Sequence, residues 1–289
     1  MKYELTDETK TTEYGVVLHR VCALRDIKRW RVRKGDLGGW IEKKANLSQY
    51  GDAWIGGNAV VSGDAVVSGD AVVKGNARVY GDAQVSEYAE VYGNARVCGD
   101  AWVGENARVY GNARVCGDAV VKGNARVSES AKVCENAKVY GIARVSGYVN
   151  VCGDATVYGD ARVYGSAWVS GDAQVSEHAK VYGNAVVSGD AVVSGDAVVS
   201  GYVNVCGDAT VYGDAVVRSS ADYAVFKNFW SSGRWFTYTR SNKMWKVGCF
   251  YGTGEELIKK AYADSDKSGR CYEAIVRTVE AIESATAGE

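Results

Sequence analysis

Gly93–Ala119 reads GNARVCGDAWVGENARVYGNARVCGDA, and the decamer YGNARVCGDA that ends at Ala101 returns unchanged to end at Ala119. Two periods are superposed here. The unit Ala-x-Val-x-Gly-Asp/Asn recurs every 6 residues, whereas cysteine recurs every 18. The shorter period runs without an insertion from Ala53 to Ala215, with Val149 and Val203 the only replacements of the alanine. Alanine and valine two apart point to one side of an extended strand, and the x residues to the other. Gly followed by Asp or Asn supplies a corner, because Gly enters φ > 0 at no steric cost and Asn or Asp tolerates it best among the rest. Four-residue strands joined by two-residue corners make a solenoid.

Longer copies tell how many sides a coil has. SGYVNVCGDATVYGDA begins at Ser146 and Ser200, an offset of 54; GDAQVSE begins at Gly81 and Gly171, an offset of 90; NAVVSGDAVVSGDAVV begins at Asn58 and Asn184, an offset of 126. These are three, five and seven times 18. Duplications that preserve 18 preserve position around a three-sided coil, so cysteine returns after one turn of a triangular prism. Roughly nine coils are expected, each rising about 4.8 Å.

The unit Val-x-Gly-Asp/Asn-Ala-x resembles the hexapeptide repeat of left-handed parallel β-helices, known from trimeric acyltransferases, over about Leu47 to Ala221. Gly38-Gly39-Trp40 followed by Leu47-Ser48-Gln49-Tyr50-Gly51-Asp52-Ala53-Trp54-Ile55 is similar, more narrowly, to the YdcK-like hexapeptide proteins of bacteria and prophages. The left hand is what the resemblance implies. Periodicity alone does not choose it, and crossover connections are otherwise nearly always right-handed. The resemblance also implies a phage- or prophage-encoded chain whose partner is a host protein.

The fold class expected is an all-β solenoid with a small α+β C-terminal domain. Residues 1–46 read as an N-terminal β cap, 47–221 as the repeat, and 222–289 as the C-terminal domain, since solenoid ends need covering. In that last part Arg234–Tyr238 and Met244–Tyr251 read as a hairpin. Thr253 with Glu256 is a capping-box signal, and Tyr272, Ile275, Val276, Val279 and Ile282 keep helical spacing.

Gly is 35 and Pro is 0 in 289 residues, where average usage of about 5% gives roughly 14 prolines. Long loops are not expected. The formal charge of -1 provides no global field for nucleic acid or an anionic membrane. MKYELTDETKT lacks an apolar leader core and no window approaches a membrane span, so a cytoplasmic protein is expected. The eight cysteines form no CxxC pair, which makes reduced thiols the default.

Stacking by 18 turns the sequence into columns. Cys98, Cys116, Cys134, Cys152 and Cys206 share one, with Ser170 and Ser188 inside it. Parallel Cβ vectors oppose a disulfide ladder and a straight row opposes tetrahedral zinc, so free thiols are expected. One corner edge carries Asp64, Asp82, Asp100, Asp118, Asn136, Asp154, Asp172, Asp190 and Asp208, and another Asn58, Asn76, Asn94, Asn112 and Asn184. Each is expected to cap its own turn rather than hold a cation.

The outward strand positions carry the functional signal. Arg108, Arg126, Arg144, Arg162 and Lys180 form one column beside Tyr92, Tyr110, Tyr164 and Tyr182; Arg78, Arg96, Arg114 and Lys132 form a second; the third face is mostly neutral. These columns favour an anionic protein partner, recognised by the Arg and Lys residues with Tyr110 and Tyr164. Val60, Val66 and Val72, and seven coils later Val186, Val192 and Val198, read as apolar bands for a homo-oligomer, a trimer or dimer. No catalytic residue, metal site or cofactor is assigned. His178 stands at a corner position where its counterpart in the other copy of that segment is Tyr88, and His19 has no nearby nucleophile. Gly252-Thr253-Gly254 is too short a motif to argue phosphate binding. Trp230, Trp235 and Trp245 read as the core of the C-terminal domain. The function expected is a non-catalytic binding scaffold. The alternatives are an acyltransferase, which requires a substrate cleft, and a nucleic-acid-binding protein, which the net charge does not favour.

Overall fold

The computed structural model describes residues 1–286. Three longer strands come first: β1 (Tyr3–Thr11), β2 (Val17–Ala23) and β3 (Leu37–Ile41). Strands β4–β31 follow, two residues each, one every six residues from Trp54–Ile55 to Val216–Val217. They are shorter than the four-residue strands expected, because the residues on either side already bend into the corners. Successive coils pair in parallel with a register shift of 18, as in Arg96 opposite Arg78 and Arg114. Three faces result. Face I runs from Trp54 to Val216 with ten strands. Face II runs from Val60 to Asn204, and face III, with nine strands, from Val66 to Thr210. The solenoid therefore has about ten turns, one more than the repeat arithmetic suggested.

The inward Ala and Val side chains form one continuous buried column from Ala53 to Val217. Corner glycines take φ near +70°, as expected, but five corners place a glutamate there: Glu87, Glu105, Glu129, Glu135 and Glu177, with φ of 55–60°. The corner side chains do not behave as the sequence suggested. Asn58, Asn76, Asn94 and Asn112 form a ladder in which each Nδ2–H donates to the Oδ1 one coil on, at 3.4, 3.1 and 3.1 Å. Asp100, Asp118, Asp172, Asp190 and Asp208 make no side-chain hydrogen bond among the described residues; the Asp82 N–H donates to the Gly99 carbonyl one coil on, and the Asp52 and Gly153 N–H groups donate to carboxylates one coil away, Asp70 Oδ1 and Glu135 Oε2. Stacking supplies the partner that self-capping would have supplied.

At the N-terminal end β1, β2 and β3 extend the sheet of face II, β3 pairing in parallel with Val60–Val61. Gly38 and Gly39 permit that approach: a Cβ at Gly38 would stand 2.5 Å from the Ile55 carbonyl oxygen, and one at Gly39 2.7 Å from that of Ala59. Asn46 Nδ2 donates to the carbonyls of Gly63 and Ala65, and Lys2 Nζ donates to that of Ala53 at 2.7 Å.

At the other end four antiparallel strands, β32 (Tyr223–Lys227), β33 (Trp235–Thr239), β34 (Met244–Val247) and β35 (Phe250–Gly252), pack under α1 (Gly254–Asp264) and α2 (Asp266–Thr286). The run Met244–Tyr251 is thus two strands around a tight turn at Gly248, and β32 was not foreseen. The capping box of Thr253 and Glu256 forms. Tyr272, Val276 and Val279 are buried, whereas Ile282 is exposed. Trp245 lies in the core with Trp230 packed against it, and Trp235 sits at its margin. The domain closes the last coil through side chains: Thr237 Oγ1 accepts from the Thr210 N–H at 2.8 Å, and Ser241 Oγ from the Val216 N–H at 2.7 Å. Open sheet edges are thereby occupied. Among the described residues no helix is long and apolar enough to cross a membrane.

Candidate functional site

Face I brings the first cationic column into register. Glu90, Arg108, Arg126, Arg144, Arg162 and Lys180 stand on consecutive rungs, each pointing out while the neighbouring valine points in. The rungs are about 4.8 Å apart. Glu90 accepts Arg108 at 3.1 Å and lies 3.9 Å from Lys74. Arg126, Arg144, Arg162 and Lys180 have no ion pair among the described residues. The column is therefore neutralised at one end and open over four rungs.

The tyrosines beside it form two stacked pairs. Tyr92 and Tyr110 stack at 5.0 Å with planes 3° apart, and Tyr164 and Tyr182 at 4.7 Å with planes 6° apart. Between the pairs the same column carries Ser128 and Ser146. The outcome is a saddle: Arg126 and Arg144 stand where the side wall is low, with a tyrosine wall above and another below. Burial in the stack pushes the Tyr92 and Tyr164 hydroxyls above the ordinary phenol range, so both remain donors at neutral pH. The serine gap was visible in the sequence, but only ring stacking gives it meaning.

On face II the expected column Arg78, Arg96, Arg114 and Lys132 is also in register and free of ion pairs among the described residues. Its N-terminal end is not an open surface, because Arg78 and Arg96 line a cleft beneath the tip of the β1–β2 hairpin. The neighbouring thiols are all free. Burial pushes the Cys116 thiol up and that of Cys134 to about 11, so these are protonated, unreactive side chains.

Each of the two valine bands is spread over three faces rather than gathered on one. Val60, Val66 and Val72 belong to one coil but to faces II, III and I, and so do Val186, Val192 and Val198. Three sides of a prism cannot meet one flat partner. Val72 is only 2% exposed, lying between Trp54 and Glu90, and Val60 lines the hairpin cleft.

A shallow trough of about 770 Å³ runs along the corner between faces III and I, floored by Gly123, Gly141 and Gly159 and closed at its ends by Glu105 and Glu177. His178 lies in it with Nδ1 3.5 Å from Asp160 Oδ2, and its side chain is 67% exposed. No serine, threonine or cysteine lines the trough. His19 is held in the hairpin opposite Thr9 and Ile41.

The YdcK beta-solenoid repeat family matches the chain over residues 53–69, 89–105, 107–122, 155–171, 179–195 and 205–219. No curated protein matches the chain.

Proposed function

Since the chain is a YdcK-like β-solenoid repeat protein, its outward columns are its distinctive chemistry, and we propose that it is a non-catalytic binding scaffold whose face I receives an acidic protein surface. The observation that carries this reading is the open run Arg126–Arg144–Arg162–Lys180 beside two tyrosine stacks. Stacked cations at this spacing repel by roughly 1 kcal/mol per neighbouring pair in water. Carboxylates from a partner remove that repulsion and engage the guanidinium forks two-pronged, while the rings add rigid apolar contact.

The test is binding of a poly-glutamate peptide to the wild type and to a quadruple Arg→Ser variant at 108, 126, 144 and 162. The variant keeps its circular dichroism and melting curve, because these side chains lie outside the core. It loses affinity by at least about tenfold, and wild-type binding weakens as salt rises. Undiminished binding by the variant would remove face I as the site. Duplex DNA bound more tightly than the peptide would replace the acidic protein with nucleic acid.

A second reading, acyl transfer, is favoured by the pairing of His178 with Asp160 in the corner trough. Consumption of acetyl-coenzyme A above the buffer rate, abolished in His178→Ala, would put catalysis in place of the scaffold.

A further inference from the structure

The β1–β2 hairpin is bent, and the bend creates a site. Between the pairs Leu5–Val21 and Thr9–His19 strand β1 advances by four residues and β2 by two, so β1 carries a bulge. Bulges kink a strand and sharpen its twist. The hairpin tip consequently lies over face II and encloses a cleft of about 660 Å³ against Val60, Arg78, Tyr80 and Arg96. That volume lies in the usual range of small-ligand sites, which is about 300–1,000 Å³.

Three cations converge there from remote parts of the chain. Lys10 comes from the hairpin, and Arg78 and Arg96 from adjacent rungs in register. None makes an ion pair among the described residues. Lys10 Nζ rests 4.3 Å above the Trp40 ring, and nearby Arg20 is already taken by Glu8 at 3.1 Å. Burial, then the charges of Arg78 and Arg20, lower the Lys10 ammonium below its ordinary value. Glu13 also lines the rim, without pairing to any of the three.

We propose that this cleft binds a small phosphorylated ligand, with Lys10, Arg78 and Arg96 gripping its phosphate. Arg78 and Arg96 spring from neighbouring rungs about 4.8 Å apart, close enough for both guanidiniums to engage oxygens of one tetrahedral phosphate while a third oxygen remains for the ammonium. A phosphate monoester brings nearly two negative charges and three terminal oxygens to these three cations, where a carboxylate brings one charge and two oxygens. Thr12 Oγ1 accepts the Val16 N–H at 3.1 Å, so its own proton is free to donate into the cleft. Val60 and Val16 form an apolar wall for the ligand's carbon body. The site lies on face II and is independent of the partner assigned to face I.

Isothermal titration of the full chain with phenyl phosphate and with pyrophosphate tests the proposal. Phenyl phosphate is expected to bind at one site per chain. Affinity falls at least about tenfold in Arg78→Ser/Arg96→Ser and in Lys10→Met. It stays unchanged in Arg126→Ser/Arg144→Ser, with melting curves confirming that all variants fold. No saturable binding of either phosphate would overturn the site. So would equal losses in the face I variant, which signify a diffuse cationic surface, or full affinity in Lys10→Met, which removes the hairpin. Binding of a phosphopeptide without binding of phenyl phosphate would overturn the small-ligand assignment.

Discussion

Glu129 and Glu135 occupy corner positions where the repeat calls for glycine, at φ of 58° and 60°. A left-handed backbone costs an L-residue about 1–2 kcal/mol, part of which glycine returns through its greater freedom when unfolded. Glu129→Gly is therefore expected to raise stability by about 0.5–1 kcal/mol in chemical denaturation. Glu135→Gly should gain less, because Glu135 Oε2 accepts the Gly153 N–H at 2.7 Å and the substitution deletes that bond. A larger gain at 135 would show that backbone strain is not the controlling quantity. Lys2 is a second residue held against its preference. It is 1% exposed, donates to the Ala53 carbonyl, and burial brings its ammonium down from 10.5 to about 8. Between those values the unfolded chain binds more protons than the folded one, so stability rises with pH. Relative to Lys2→Met, the wild type should gain up to about 3 kcal/mol from pH 8 to 10.5, read from denaturant midpoints at each pH.

Elements are joined here by close backbone approach rather than by large side chains. Strand β3 meets the first coil where Gly38 and Gly39 leave no room for a Cβ. Gly39→Ala overpacks that junction by about 1–3 kcal/mol. The expected result is local: limited proteolysis cuts the first 46 residues faster, while the repeat keeps its circular dichroism. Phenyl phosphate binding falls with it, because the freed hairpin carries Lys10. A variant as resistant as the wild type would mean that the side-chain ties of Lys2, Asn46 and Tyr3 hold the hairpin in place without the β3 contact. The Asn ladder is the other inter-coil device, and it was legible only as a column. Sequence reading gave each amide to its own turn, whereas the amide one coil away lies within reach and in the right orientation.

At the scale of the molecule the prism separates surfaces that the linear repeat runs together. Two valine triplets each spread over three faces, so neither makes a single interface. Face II carries one exposed apolar pair that a second copy could cover, Trp168, 48% exposed, in register with Val186. Light scattering is expected to show an assembly whose mass drops in Trp168→Lys and is unchanged in Val192→Lys on face III. Equal masses for the three proteins would remove self-association through that patch.

Coil length, the inward Ala and Val, and the membership of every column were determined by the sequence alone, because a repeat without insertions converts residue number directly into rung and side. The C-terminal helices were legible for a related reason, since a capping box and a helical stripe are local signals. What tertiary structure decided depends on groups with no fixed spacing between them. Glu90 silences Arg108 but not Arg126, tyrosines stack in pairs around a serine gap, and Trp54 and Glu90 flank and cover Val72. The cleft needs Lys10 beside Arg78 and Arg96, and that meeting follows from a bulge bending one hairpin over a face built more than sixty residues later in the chain. Periodicity specifies neighbours within the repeat; contacts between the repeat and its caps are set by shape and burial, which no period encodes.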